Sequence, residues 1–171
     1  VRGYLMAMDI RLSELQELIR DSADDFLTRE APPARMREIE WARTPDTGIW
    51  QQMVDLGWTG LPIAERYGGQ DAQLVDLGVL IEKICRHALL SPYQQTMLGA
   101  AIVQRHGDDA VQESLLPRIV AGDTCAPALL ESAGGLFGAI TVSSHGSTLT
   151  GTKRFVEFGE TSDVHLVAAS R

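Results

Sequence analysis

The chain has 171 residues, 44 % hydrophobic and 22 % charged, a balance that excludes intrinsic disorder and leaves apolar mass for one domain, or one plus part of a second. Fifteen Lys and Arg against 23 Asp and Glu give a net charge of −8, the wrong sign for holding nucleic acid through its phosphates. No apolar run approaches the ~20 residues that span a bilayer, and Cys85 and Cys125 suit neither zinc spacing nor a disulfide framework, so the expectation is a cytoplasmic protein with two buried free thiols and no membrane insertion.

Residues 1–8 hold one arginine and a short apolar patch, without the architecture of a signal peptide. Ser13-Glu14-Leu15-Gln16 then reads as a capping box. Leu12, Leu15, Ile19, Ala23, Phe26 and Leu27 recur at helical spacing until Ala31-Pro32-Pro33 stops the helix. Residues 35–43 are polar and give no clear element. Thr44-Pro45 predicts an N-cap with proline at the first helical position. Ile49, Trp50, Met53, Val54 and Leu56 form an apolar face ending at Gly57. Residues 58–69, with three further glycines and a proline, predict a compact connecting loop.

Leu74, Leu77, Ile81, Ile84 and Ala88 step by three and four, with Asp71 as the cap. Ser91-Pro92-Tyr93-Gln94 reads as a second capping box, opening a helix through Met97, Leu98, Ala101 and Ile102 that stops near Gly107. That helix is apolar over much of its circumference, which places it centrally in a bundle. Asp108 caps a further helix through Val111 and Leu115, which Pro117 is expected to break or kink.

After Gly122 the period falls from 3.6 to 2. Short strands are expected at 124–130, at 140–142 and 149–150 around the turn Ser144-His145-Gly146-Ser147, at 153–158 and at 164–169. Helices followed by strands indicate α+β: an N-terminal all-α helical bundle over residues 1–122, then a partial antiparallel β-domain over 123–171. Four or five strands of ~5 residues leave open edges that other elements must cover. The chain ends directly after a strand, which suggests truncation.

Little chemistry stands out from the residues alone. His87, His106, His145 and His165 are scattered without metal-ligand spacing. Ser143-Ser144-His145 reads as a turn rather than as a nucleophile and its base. Gly134-Gly135-Leu136-Phe137-Gly138 is glycine-rich but lacks the dinucleotide pattern, leaving two readings, backbone cradling of a phosphate or an open loop. Glu131, just before it, is either a buried site carboxylate or a surface residue at a strand end.

The order of motifs adds more. Residues 50–69, containing Leu56-Gly57-Trp58 and Leu61-Pro62-Ile63-Ala64-Glu65-Arg66-Tyr67-Gly68-Gly69, closely resemble the N-terminal domain of acyl-CoA dehydrogenases, with their "LGW" and "L-x-[IV]-[PA]-E-x-[YF]-G-G". His106-Gly107 followed by Leu116-Pro117-Arg118-Ile119-Val120-Ala121-Gly122-Asp123 is similar to the family's "G-x-x-x-Q-[KR]-x-x-x-L-P-x-[LI]-x-x-G-[ED]". Leu149-Thr150-Gly151-Thr152-Lys153-Arg154-Phe155-Val156 resembles "L-x-G-x-K-x-[WF]-[IV]", and Ser162-Asp163-Val164-His165-Leu166-Val167-Ala168-Ala169 resembles "A-D-x-x-[LV]-V-x-A".

The resemblance implies a helical domain, then the opening of a middle β-domain, from a family that oxidises acyl-CoA thioesters with FAD. The flavin takes the β-hydride, and a glutamate of the C-terminal domain removes the α-proton. No residue here corresponds to that domain, so no catalytic residue is assigned, and the chain alone is expected to be inactive. The implied partners are an acyl-CoA substrate and further subunits in a homo- or hetero-oligomer. A non-catalytic subunit of a mixed oligomer is the alternative reading.

By the same resemblance the cofactor-binding positions are Leu129, Leu130, Gly135, Phe155, Val156 and Glu157. Leu130 stands where the family has a flavin-facing threonine, Phe155 where it has a tryptophan, and Glu157 where it has a threonine. The helix opening at residues 91–97 is implied to line the acyl pocket through Tyr93 and Met97, which core packing would explain as well.

Overall fold

Ser13 opens the first helix, α1 (Glu14–Glu30), as its sequence predicts: its hydroxyl accepts the Gln16 N–H at 3.2 Å while Gln16 Oε1 accepts the Ser13 N–H at 3.0 Å. In this computed structural model residues 11–132 and 140–170 are described. Among them, α1 is followed by α2 (Pro33–Ala42), α3 (Thr47–Asp55), α4 (Leu74–Arg86), α5 (Tyr93–His106) and α6 (Asp109–Val120). Four short strands follow: β1 (Cys125–Ala128), β2 (Ser143–His145), β3 (Thr148–Thr150) and β4 (Val164–Val167). Helices precede strands, the α+β order expected.

Several ends differ from expectation. The polar stretch at 35–43 is α2, for which Pro33 supplies the first turn because proline there loses no helical bond. Asp46, not Thr44, caps α3: its carboxylate accepts the Gly48 and Ile49 N–H groups and is also held by Arg35 at 2.8 Å. Gln73, not Asp71, caps α4, with the Asp76 carboxylate accepting the Gln73 N–H at 2.9 Å. At α5 the Ser91 hydroxyl accepts the Tyr93 N–H, but Gln94 completes no box because its amide turns to Cys85 Sγ. Pro117 does not end α6; the one bond it forfeits lies near the helix end and on an exposed face. Cys85 is exposed, whereas Cys125 is buried as expected.

The core draws on all six helices, with α1 packed on α4 and α5 packed on α6 and β1. Ala23, Leu27, Leu80 and Tyr93 are completely buried, and Met97 nearly so. The Tyr93 hydroxyl donates to the Trp58 carbonyl at 2.9 Å, so Tyr93 and Met97 are core residues. Phe26 meets Trp58 edge to face at 5.1 Å. Lys83 reaches back to Asp24 at 2.7 Å, and Gln16 donates to Asp76 at 2.9 Å, fastening α1 along α4. Residues 58–67 carry two single 3-10 turns. The junction from helices to strands is pinned where Trp50 Nε1–H donates to the Gly122 carbonyl at 2.8 Å.

The strands form two small sheets. The expected antiparallel pairing occurs in the β2–β3 hairpin, with Gly146 at φ 62 in its turn. β1 instead pairs parallel with β4, Cys125 opposite Val164 and Ala128 opposite Val167, a geometry that requires the long crossover between them. The Asp163 carboxylate accepts both the N–H and the hydroxyl of Thr124 at 2.8 Å, closing one end of this pair. α5 packs on β1: Thr96 Oγ1 accepts the Cys125 N–H at 3.1 Å. Residues 153–158 do not form the expected strand; they run without ladder bonds into turns, and Phe155 and Phe158 have φ of 55 and 57.

Candidate functional site

A cleft of about 1080 Å³ lies between the helices and the strands. Its helical wall comes from the α2–α3 corner, with Glu40, Arg43 and Pro45, and from the α4–α5 junction, with Leu89, Leu90, Ser91 and Gln94. Its other wall carries Ala128 and Val167 at the ends of β1 and β4, Val142, Leu149, and much of residues 151–161. The lining presents more apolar than polar surface, with several charged side chains among it, a make-up compatible with a small-molecule site.

One polar network organises the strand wall. Lys153 Nζ donates to Glu131 Oε1 at 2.6 Å and to the Leu129 carbonyl at 3.4 Å. The Glu131 carboxylate also accepts the Thr141 N–H at 2.7 Å, the Thr141 hydroxyl, and the Val142 N–H at 3.1 Å. Both side chains are nearly buried, Lys153 at 6 % exposure and Glu131 at 13 %. Lys153 first, then Thr141 and Val142, hold the Glu131 carboxyl down to about 2. A carboxylate so fully engaged stays ionised and is no general base near neutrality. Its neighbour Leu130 accepts the Arg154 N–H at 2.8 Å through its carbonyl. The segments around Leu129–Glu131 and Lys153–Arg154 are thereby bonded together, although they lie over twenty residues apart.

The predicted cofactor positions are distributed around this knot rather than gathered in one pocket. Leu129 and Leu130 are half-buried beside it and do not line the cleft. Val156 and Glu157 do line it. The Phe155 ring is 69 % exposed and lies outside the cleft lining. Gly135 lies outside the described residues, as does the whole of its glycine-rich run. Glu157 accepts from Gln95 Nε2 on α5 at 2.5 Å, reaching from the strand region to the helices. His165 Nε2 lies 2.7 Å from the Gly159 carbonyl; a carbonyl only accepts, so that nitrogen carries the proton.

The chain matches the family described as "Acyl-CoA dehydrogenase, N-terminal domain" over residues 13–123. It belongs to the acyl-CoA dehydrogenase family. Acyl-CoA dehydrogenase FadE28 of Mycobacterium tuberculosis is 31 % identical over 121 residues, 70 % of this chain and 36 % of its own length. The short-chain-specific acyl-CoA dehydrogenase of Clostridium acetobutylicum is 25 % identical over 68 % of this chain and 31 % of its own. Among solved structures, the ChsE4–ChsE5 complex from Mycobacterium tuberculosis superposes with a TM-score of 0.84 at 23 % identity, covering 95 % of this chain and 45 % of that one. Butyryl-CoA dehydrogenase from Megasphaera elsdenii gives 0.80 at 24 %, with 95 % and 45 % covered. The fold is therefore that of the front part of acyl-CoA dehydrogenases, and this chain spans less than half the length of these relatives.

Local sequence does not decide whether Glu131 belongs to a site or to the surface, and no motif couples it to Lys153. A signal was available: only two of the 15 basic residues are lysines, and both, Lys83 and Lys153, are nearly buried in ion pairs. Among the described residues no group of His, Cys, Asp and Glu could hold a metal ion, and no helix is long and apolar enough to cross a membrane. Burial pushes the Cys125 thiol up to about 11, so it stays protonated and unreactive.

Proposed function

We propose that this chain is the front part of an FAD-dependent acyl-CoA dehydrogenase. Residues 1–122 are its helical domain, residues 123–171 open its β-domain, and the cleft between them receives the acyl part of an acyl-CoA thioester. The observation that carries this reading is the cleft itself, in a chain of this family: an apolar helical wall with Leu89 and Leu90 faces a strand wall with Val156 and Val167. The segments assigned to the cofactor are bonded together on that strand side.

The residues suit one end of FAD. The exposed ring of Phe155, with Val156 beside it, offers an aromatic and apolar surface to a flavin ring. Near these positions Lys153 is taken by Glu131, and the cleft carries Glu157, Glu160 and Arg43, with Arg154 next to Phe155 in the chain. Leu130 brings no hydroxyl to the ring, while Glu157 is drawn towards α5 by Gln95. When bound, FAD would accept the hydride from the β-carbon of the thioester. This chain's own contribution is positional: the cleft excludes water from the acyl chain and fixes it against the strand wall. The α-proton is left to a carboxylate that none of these residues supplies, and the 171 residues alone turn over no acyl-CoA.

The full product of the reading frame that encodes this chain tests the reading. Flavin absorbance after reconstitution with FAD, with dye-coupled oxidation of an acyl-CoA, supports it. A colourless protein that FAD does not restore overturns it. A second reading rests on Leu130 and Glu157: their departures from the family pattern favour a non-catalytic subunit of a mixed acyl-CoA dehydrogenase oligomer. Co-purification with a second, complete dehydrogenase chain supports that reading, and turnover by the isolated product excludes it.

A further inference from the structure

Glu131 and Lys153 have no part in the chemistry just described, yet they are among the most carefully housed charged groups in the chain. Four donors converge on one carboxylate: Lys153 Nζ, the Thr141 N–H and hydroxyl, and the Val142 N–H. Those donors come from two segments, and the carboxylate from a third. Lys153 adds a bond to the Leu129 carbonyl, and the next residue's N–H binds the Leu130 carbonyl.

Two residues beyond Lys153, Phe155 is held at φ 55. A bulky aromatic residue adopts that left-handed conformation only where its surroundings impose it. Here the imposition is visible on both sides. Lys153 and Arg154 are tied to residues 129–131 before Phe155, and Glu157 is tied to Gln95 after it. The ring is left outward-facing. Lys153 is nearly buried with its ammonium engaged, which excludes it as a ligand for a cofactor phosphate. Glu131 has both oxygens in use, which excludes it as a base.

We propose that Glu131 and Lys153 are positioning residues for the flavin. The pair touches no cofactor atom; it locks the Leu129–Leu130 backbone and the Phe155 turn into one rigid surface that the flavin ring meets. This rests on the flavin reading above, and it names the device that keeps a strained aromatic in place for it. Preorganisation of this kind raises affinity by removing the ordering cost at binding.

The test compares wild type, Glu131→Gln and Lys153→Met in the full product of the reading frame. Amide exchange is read at Arg154 and Val142, with Leu80 and Val103 as helical references. FAD affinity and the visible absorption band of the bound flavin are read on the same samples. Both variants should speed exchange at Arg154 and Val142 by roughly tenfold or more, the equivalent of one charge-assisted hydrogen bond. The helical references should not change, which shows that each variant has folded. FAD affinity should fall by a similar factor, and the flavin band should shift, a change that a purely structural pair would not produce. Variants that bind FAD with wild-type affinity and spectrum overturn the proposal even if exchange is faster. Unchanged exchange at Arg154 and Val142 overturns it as well. A wild-type protein that takes no FAD sinks the flavin reading itself, and that outcome is visible before any variant is compared.

Discussion

The helical part of the chain buries Leu27, Leu80, Tyr93 and Leu116 completely, whereas in the strand part β3 is exposed along its whole length. The helices are held chiefly by apolar area removed from water, fastened at their ends by Ser13, Asp46, Asp76 and Asp108. The strands are three or four residues long and build two two-stranded sheets, too little sheet to be stable by itself. β1 is buried against α5, and carboxylates fasten the segment ends around it: Glu131 with Lys153, and Asp163 with Thr124. Charge-assisted bonds fix geometry more sharply than apolar packing does. The softer construction is therefore also the more exactly aimed one, and it is the strand side that carries the positions assigned to the cofactor.

The largest effect that would break this contrast is a cavity in the helical part. Leu80→Ala removes a side chain with no exposure and should destabilise the protein by roughly 2–5 kcal/mol, measured as a lower urea midpoint at unchanged slope. Leu149→Ala in β3, where the side chain is 51 % exposed, should stay within about 0.5 kcal/mol. Equal effects at the two sites would show that the strand region also rests on apolar burial.

Next in size is the seam between the regions. A Cβ built on Gly99 would lie 2.4 Å from Cys125 Sγ and 3.0 Å from Cys125 Cβ. Gly99→Ala must therefore push β1 away from α5, at a cost of roughly 1–3 kcal/mol. Cys125→Ala removes the sulfur and should recover part of that loss in the double variant, a coupling that thermal unfolding of the four proteins measures. Strict additivity would mean that α5 and β1 shift freely against each other.

What could be read in the sequence follows the same division. Local chemistry was legible: the Ser13–Gln16 box, Gly57 in its left-handed stop and the Asp108 cap each depend on neighbours within four residues. Choices between adjacent candidates were less so. Asp46 takes the α3 cap from Thr44 because Arg35, eleven residues back, also holds its carboxylate. Least legible was the strand region. Residues 153–158 alternate like a strand, but Lys153 is claimed by Glu131 and β1 takes β4 as its partner, so the alternation finds no ladder to join. The cleft has no sequence signature at all, because its lining runs from Glu40 to Val167. Only the ordered family motifs pointed to that part of the chain.

The smallest effect is the most local, and acid exposes it. Glu131 has its carboxyl lowered from 4.5 to about 2 by Lys153, Thr141 and Val142. A depressed carboxyl stabilises the folded state fully above its unfolded value, and that contribution is lost as pH falls through the folded one. Between about pH 4.5 and pH 2, then, the knot on the strand wall should weaken. The methyl signals of Val142, buried against this knot and bonded to Glu131 through its amide, should shift across that window. Asp46 is also lowered, first by the Ile49 N–H and then by Arg35, so the helices carry an acid response of their own. Glu131→Gln separates the two: it should abolish the titration seen at Val142 and leave the response around Asp46 intact. A Val142 signal that still titrates in Glu131→Gln would mean that the strand region senses acid through another carboxylate, with Asp163 the first to substitute.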